Sequence, residues 1–293
     1  MTGHAITRDF LVEHPLPMPE GEVDKDARGR VMVIGGNREV PGAALLAGTS
    51  ALRAGAGKLH VATAASCAVA MAVALPEARV TGLAENSAGD IDPASALAIL
   101  NYIQRDDAVV LGPGLLDDNA AGQLAASLLT TLDGPSFVID AAALTGLRRH
   151  LDDLKKHAGR TVITPHAGEM ATFLDVGRDA VMADPIGAAR RAAAGSGAVV
   201  VMKGSCTYIA SPRGEVWAIR HGNPGLATSG SGDTLAGIVA GLLARGACPI
   251  LAAQWAVFIH GEAGDRLKKT HGMLGYLARE IPDHIPRIMA ELG

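Results

Sequence analysis

The feature that most constrains this chain is a series of short, wholly apolar runs, most of them cut off by glycine or a small polar residue. Val31-Met-Val-Ile34 stops at Gly35-Gly36, Ala108-Val-Val-Leu111 at Gly112-Pro-Gly114, and Ala198-Val-Val-Val-Met202 just before Lys203-Gly204. A run of four or five apolar residues without polar alternation reads as a strand covered on both faces. The spacing predicts strands over 31–34, 58–63, 108–111, 137–140, 161–164, 198–202, 207–210 and 215–219. Helical periodicity fills the intervals over 42–54, 65–74, 119–131, 168–174, 184–194, 232–244 and 249–267. Pro185 suits a first helical position, and Ser211-Pro-Arg-Gly214 suits the turn of a hairpin. Such alternation specifies an α/β fold in three layers, α/β/α, with a mostly parallel sheet and helices on both faces. No linker, repeat or low-complexity tract divides the chain. Residues 1–293 are read as one domain with an irregular N-terminal arm over about residues 1–29.

Composition removes several function classes. Hydrophobic residues make up 48% of the 293 and charged residues 19%, so a sizeable core is available and disorder is excluded. A net charge of −4 and 3% aromatics supply neither the basic footprint nor the stacking platforms of a nucleic-acid binder. Cys67, Cys206 and Cys248 are odd in number and far apart, so they form no zinc spacing or disulfide framework and read as reduced thiols of a cytoplasmic protein. The N-terminus lacks the basic and apolar regions of a signal peptide. The most apolar stretch, residues 235–259, is broken by Arg245, Pro249 and Gln254, so no membrane span is expected. Its later part, 251–259, is a candidate interface between copies of the chain.

Glycine is the outlier, at 36 residues. Its clusters, Gly35-Gly36, Gly112-Pro-Gly114, Gly168, Gly204 and Gly230-Ser-Gly232, fall at the predicted carboxyl ends of strands. Ligands of parallel α/β sheets bind at those ends. Neither the Walker P-loop nor the G-x-G-x-x-G fingerprint occurs, which argues against a P-loop enzyme and a simple dinucleotide dehydrogenase. The strongest local signal is Gly222 to Asp233, running into an apolar helix. Gly230, Ser231 and Gly232 would leave backbone N–H groups free at a helix N-terminus, an anion hole suited to phosphate. Asp233 beside it could take a proton from an attacking hydroxyl, or serve only as a helix cap. Thr164-Pro-His166-Ala-Gly-Glu169 also opens a helix. There His166 could meet substrate or be only a structural or surface residue, and Glu169 could hold Mg²⁺ directly or through water. In Lys203-Gly204-Ser205-Cys206-Thr207, a lysine and small donors end a strand where phosphates could meet them.

In order and spacing these motifs resemble the ADP-dependent NAD(P)H-hydrate dehydratases of the ribokinase-like superfamily, from about Arg30 to Pro286. The segments that carry the resemblance are Val33-Ile-Gly-Gly36 with Gly42-Ala43, Ala51 to Gly57, Leu111-Gly-Pro-Gly-Leu115, Asp140-Ala-Ala-Ala-Leu144, Thr164 to Glu169, Lys203 to Thr207 and Gly222 to Asp233. His166 is the more specific mark, since sugar and vitamin kinases of the superfamily usually carry Asn there. The resemblance implies that Ala43, Gly112, Gly114, His166 and Asp233 contact a hydrated dinucleotide. It implies an adenine-nucleotide site at Lys203 to Thr207 with Gly230, Ser231 and Gly232, and Asp233 as catalytic base. Implied as well are ADP as phosphoryl donor, Mg²⁺, and a homotetramer. The sequence departs from the family at Ser229, where glycine is usual, at the loop Asn37-Arg-Glu-Val-Pro41, and at Lys25-Asp26, where a lysine-glycine pair is common. Bifunctional relatives carry an epimerase domain before this one, and with about 29 residues ahead of the first predicted strand that activity is expected to be absent. The competing readings are an ATP-dependent thiazole or hydroxymethylpyrimidine kinase, against which His166 speaks, and a non-catalytic nucleotide-binding module.

Overall fold

In a computed structural model, which describes residues 3–18, 25–103 and 107–293, every predicted apolar run becomes a strand. In chain order the strands are β1 (His4–Ala5), β2 (Arg30–Ile34), β3 (Lys58–Ala64), β4 (Ala78–Leu83), β5 (Ala108–Leu111), β6 (Ser136–Ile139), β7 (Thr161–Ile163), β8 (Val199–Met202), β9 (Thr207–Ala210) and β10 (Val216–Ile219). They form one sheet in the order β1-β10-β9-β8-β7-β6-β5-β2-β3-β4. Only β9 runs against the others. Val33 lies at the centre, in register with Val61 of β3 and Val110 of β5.

The helices are α1 (Arg8–Glu13), α2 (Gly42–Arg53), α3 (Ala68–Ala74), α4 (Ala96–Ile103), α5 (Asp118–Thr131), α6 (Ala141–Gly146), α7 (Leu151–Lys155), α8 (Ala167–Leu174), α9 (Arg178–Ala183), α10 (Pro185–Ser196), α11 (Ser231–Ala244), α12 (Pro249–His271) and α13 (Ile285–Ala290). They cover both faces. Val31, Val33, Val61 and Val110 point into one core with α2, α11 and α12, while Met32, Ile34, Val109 and Leu111 point into the other with α5, α8 and α10. Period-two alternation with no polar face is what a doubly covered sheet requires. Helices α2 and α11 touch backbone to backbone. A Cβ at Gly237 would stand 2.1 Å from the Ala47 carbonyl oxygen, and one at Gly241 2.5 Å from that of Ala51. No helix among the described residues is long and apolar enough to cross a membrane.

Four expectations need correction. The N-terminal arm is not irregular where it is described. β1 pairs with β10, and Thr7 caps α1 by accepting the Phe10 N–H at 3.2 Å. Leu11 is fully buried, and the Trp255 indole donates to the His14 carbonyl at 2.8 Å. These elements are too short for periodicity, and their partners are distant in sequence. The rest of the predicted arm, residues 1, 2 and 19–24, lies outside the described residues. Second, residues 252–259 are buried within the protomer around Trp255 and Phe258, so this stretch offers no interface. Third, Gly168 and Gly230–Gly232 do not end strands. They lie in or at the first turns of α8 and α11. Fourth, β4 and α4 carry no signal strong enough to be read. β4 is an edge strand with most positions partly exposed and a glycine inside it.

The atypical Asn37–Pro41 loop has its own internal logic. Asn37 is fully buried and donates through Nδ2 to Asp90 Oδ1 at 2.8 Å. Asp90, also buried, accepts the backbone N–H groups of Leu116 at 3.1 Å and Asp117 at 2.6 Å. One carboxylate thus ties the loop after β2 to the loop after β5. Asp90→Ala removes the acceptor shared by Asn37 Nδ2 and the part-buried Leu116 and Asp117 N–H groups, leaving Asn37 Nδ2 only the Ala88 carbonyl at 3.3 Å, and unsatisfied donors of this kind cost roughly 1–3 kcal/mol. The expected result is a loss of about 3 kcal/mol in urea unfolding; a loss under about 0.5 kcal/mol would refute this account of the loop.

Candidate functional site

The carboxyl ends of β5, β6, β7 and β8 deliver the polar groups. Asp140 follows β6 directly, and its N–H donates to the Leu111 carbonyl at 3.0 Å. Gly112 has φ +116°, and a Cβ there would stand 1.9 Å from the Asp140 carbonyl oxygen, so only glycine fits. Ala141 turns the chain into α6 at φ +50°, an unusual conformation for a non-glycine residue. Lys203 follows β8 and donates its backbone N–H to the Pro165 carbonyl at 2.8 Å, which ties the ends of β7 and β8 together.

From there the Lys203 side chain reaches Asp140 Oδ1 at 3.0 Å and Glu169 Oε2 at 3.6 Å. Burial opposes the lysine's charge, but the Asp140, Glu169 and Asp233 carboxylates outweigh it and hold its pKa above the ordinary value. Glu169 also accepts the His166 backbone N–H at 2.7 Å. His166 Nδ1 in turn accepts the N–H groups of Gly168 at 3.0 Å and Glu169 at 3.1 Å. The pair forms a capping box on α8 with histidine in the usual serine or threonine place. His166 therefore caps α8. Its ring proton must sit on Nε2, which lies 3.6 Å from Glu169 Oε1 on a side chain that is 60% exposed and within reach of a ligand.

Gly230 is the N-cap of α11, with φ +88° and no side chain to cap the first turn. A Cβ at Gly232 would lie 3.3 Å from Lys203 Nζ and 3.7 Å from Asp140 Oδ2. The open N–H end of α11 and the lysine ammonium thus meet at one point, where helix dipole and cation both favour an anion. Asp233 sits in the same turn. Burial first, and then the charges of Asp140 and Glu169, push its pKa up to about 7, against the opposing pull of Lys203. It can accept a proton near neutral pH and release it again.

The remaining predicted residues fall into two groups. Ala43 and Gly114 meet each other: Gly114 has φ +71°, and a Cβ there would lie 2.9 Å from Ala43 Cβ and 2.5 Å from the Val40 carbonyl. Leu46, one turn along α2 from Ala43, abuts Gly230, since a Cβ at Gly230 would lie 2.5 Å from Leu46 Cδ1. Gly204, Ser205 and Cys206 lie in the turn of the β8–β9 hairpin and Thr207 opens β9, with Gly204 and Ser205 exposed. A cavity of about 710 Å³ is lined by the N-terminal segment around Ile6 and by Tyr208 of β9, Arg220, His221, Phe258 and Glu262. Ser231 is buried against α12 rather than exposed to the site. Among the described residues no three His, Cys, Asp or Glu side chains are arranged to hold a metal ion by themselves. Asp140 is the residue to which the sequence reading gave no role. A carboxylate closing an apolar run at a parallel strand end was the available signal.

Comparison with known proteins identifies the family and the fold. The family described as NAD(P)H-hydrate dehydratase matches residues 31–287. The ADP-dependent (S)-NAD(P)H-hydrate dehydratase of Xanthomonas campestris is 46% identical over 100% of this chain and 99% of its own length. A ribokinase-like superfamily protein of Enterococcus faecalis superposes with a TM-score of 0.84 at 28% identity, over 99% of this chain and 96% of its own. The Bacillus subtilis ADP/ATP-dependent NAD(P)H-hydrate dehydratase, co-crystallised with ATP and Mg²⁺, superposes with a TM-score of 0.82 at 29% identity, over the full length of both chains. The chain spans about half the length of the bifunctional NAD(P)H-hydrate repair enzymes it also matches.

The raised pKa of Asp233 has a stability consequence of definite sign. Between the ordinary carboxylate range and about 7 the folded chain binds a proton that the unfolded chain has lost. Stability contributed by this group therefore falls as pH rises through that window. Asp233→Asn removes the penalty. Its melting temperature should exceed that of the wild type at pH 8 and match it near pH 4. A gain that is equal at both values would contradict the assignment.

Proposed function

The chain belongs to the NAD(P)H-hydrate dehydratase family, and we propose that it restores hydrated NADH or NADPH to NAD(P)H at the expense of ADP. The observation that carries the reading is Asp233, a carboxylate with a pKa of about 7 beside the open N-terminus of α11 and the Lys203 ammonium. A base poised near neutrality next to an anion hole is what phosphoryl transfer from a nucleotide to a hydroxyl requires.

The substrate carries water across the 5,6 double bond of its nicotinamide ring. Asp233 takes the proton of the 6-hydroxyl, and that oxygen attacks the β-phosphorus of ADP. The bond to the bridging oxygen breaks and AMP leaves. Charge on the transferring phosphoryl group faces the α11 N–H groups and Lys203. The C6–O bond of the phosphate ester then breaks, pushed by the ring nitrogen lone pair. Loss of the C5 proton restores the double bond, and the products are NAD(P)H, AMP and phosphate. His166 Nε2–H, Ala43, Gly112 and Gly114 form the dinucleotide side, with α2 as its wall. The β8–β9 hairpin takes the nucleotide, whose adenosine end runs toward the adjoining cavity.

Mg²⁺ fits this donor set. The site offers hard carboxylate oxygens but no protein cage among the described residues, which suits an ion that arrives on the nucleotide's phosphates. Glu169 is the carboxylate to hold it, directly or through water, and the ion would neutralise phosphate charge. The reading also includes a cytoplasmic location and a homotetramer.

Three measurements test the reaction. Acid-hydrated NADH incubated with ADP should recover the absorbance band of the reduced ring. Failure with folded protein would sink the assignment, and ATP-dependent formation of a stable phosphorylated product would favour a kinase. Asp233→Asn should fold and lose at least ~10²-fold in turnover. In the wild type, kcat/KM should rise through about pH 7 as Asp233 ionises in the free enzyme. A profile flat from pH 5.5 to 8.5 would remove Asp233 as the base.

A further inference from the structure

His260 lies on α12 and has no part in the chemistry above. Its Nε2 stands 3.0 Å from Ser231 Oγ and 3.0 Å from the Ser231 carbonyl oxygen. A carbonyl oxygen can only accept, so the ring proton sits on Nε2. Ser231 Oγ shares the same N–H as a second acceptor. The opposite tautomer would set lone pairs on Nε2 and on the Ser231 carbonyl against each other at 3.0 Å. Burial holds the ring pKa down to about 4; the bond to Ser231 raises it and the nearby Lys203 charge lowers it further. The ring is therefore neutral at physiological pH.

Ser231 is the first residue of α11 and lies between the two glycines of the anion hole. That turn has no side-chain cap, because Gly230 offers none. Its other side-chain bond is internal: Thr234 Oγ1 donates to the Ser231 carbonyl at 2.6 Å. The Ser231 N–H is held by the Thr228 carbonyl at 3.2 Å, but glycine on either side leaves this turn conformationally permissive, and an anion hole works only when its donors are already aimed. His260 adds a hold on the Ser231 carbonyl and hydroxyl from a second helix, α12.

We propose that His260 is a positioning residue for phosphoryl transfer: its Nε2–H, carried on α12, pins both oxygens of Ser231 and keeps the Gly230–Gly232 turn aimed at the transferred phosphoryl group. This rests on the reading of α11 as the phosphate site.

The test compares His260→Phe, which keeps the ring volume without the donor, with His260→Gln, which keeps an N–H donor at similar reach. His260→Phe should lower kcat/KM for ADP by about 10- to 100-fold, mostly in kcat, with KM for hydrated NADH within about twofold of wild type. His260→Gln should recover most of the loss. Wild-type kinetics in His260→Phe, or equal loss in two variants that melt like the wild type, would overturn the proposal. Nitrogen NMR of histidine-labelled wild type tests it without any variant. The Nε2–H tautomer at pH 7 supports it, and the Nδ1–H tautomer refutes it. A wild type inactive with ADP and hydrated NADH would strike at the functional reading instead, while the tautomer stays measurable.

Discussion

An ammonium held among three carboxylates organises the strand ends of this protein. Lys203 comes from β8, Asp140 from β6, Glu169 from α8 just past β7, and Asp233 from α11. Three acids around one base leave an excess of negative charge in a partly buried space. Such a cluster resolves the excess by keeping one acid protonated, and Asp233 is the one pushed upward. The same arrangement sets the nucleotide's charge problem. A phosphate entering beside Lys203 competes with Asp140 and Glu169 for it, so the anion must be met chiefly by the α11 N–H groups, with a divalent cation alongside. The basicity of Asp233 and the need for neutralising partners on the nucleotide have one electrostatic origin.

Much of this was legible in the chain. The apolar runs marked out six parallel strands and a hairpin, because a doubly buried strand must be apolar at every position. The Gly230–Asp233 motif could be read as an anion hole with a base, because helix N-termini act locally and need no knowledge of the remaining fold. The lysine–carboxylate cluster could not be read. Asp140 and Lys203 are 63 residues apart, and only the β6-β7-β8 order brings them to 3.0 Å. His260 was hidden for the same reason, since its partner sits one helix earlier. β1 and α1 were hidden by brevity. Glu169 was read as a metal ligand, and its carboxylate turned out to share itself between the His166 N–H and Lys203.

The distribution of helix caps connects stability to function. Helices α5 and α10 start conventionally: Asp117 accepts the N–H groups of Asn119 and Ala120, and Asp184 accepts that of Gly187. At the site the pattern changes. Asp140 occupies the N-cap position of α6, an ideal capping residue, yet makes no capping bond because its carboxylate faces Lys203. Gly230 replaces a capping side chain on α11, and Pro41 precedes α2 without one. A missing cap costs roughly 0.5–2 kcal/mol. Three helices that border the same space forgo it, and each keeps first-turn N–H groups uncommitted there. Helices α3, α7, α9, α12 and α13 also lack a side-chain cap, so the omission alone does not mark the site. What distinguishes α2, α6 and α11 is where their open ends lie, beyond β2, β6 and β10 and against one another, which fits a surface shaped to receive two anionic nucleotides, with stability recovered in the glycine-mediated contact of α2 with α11.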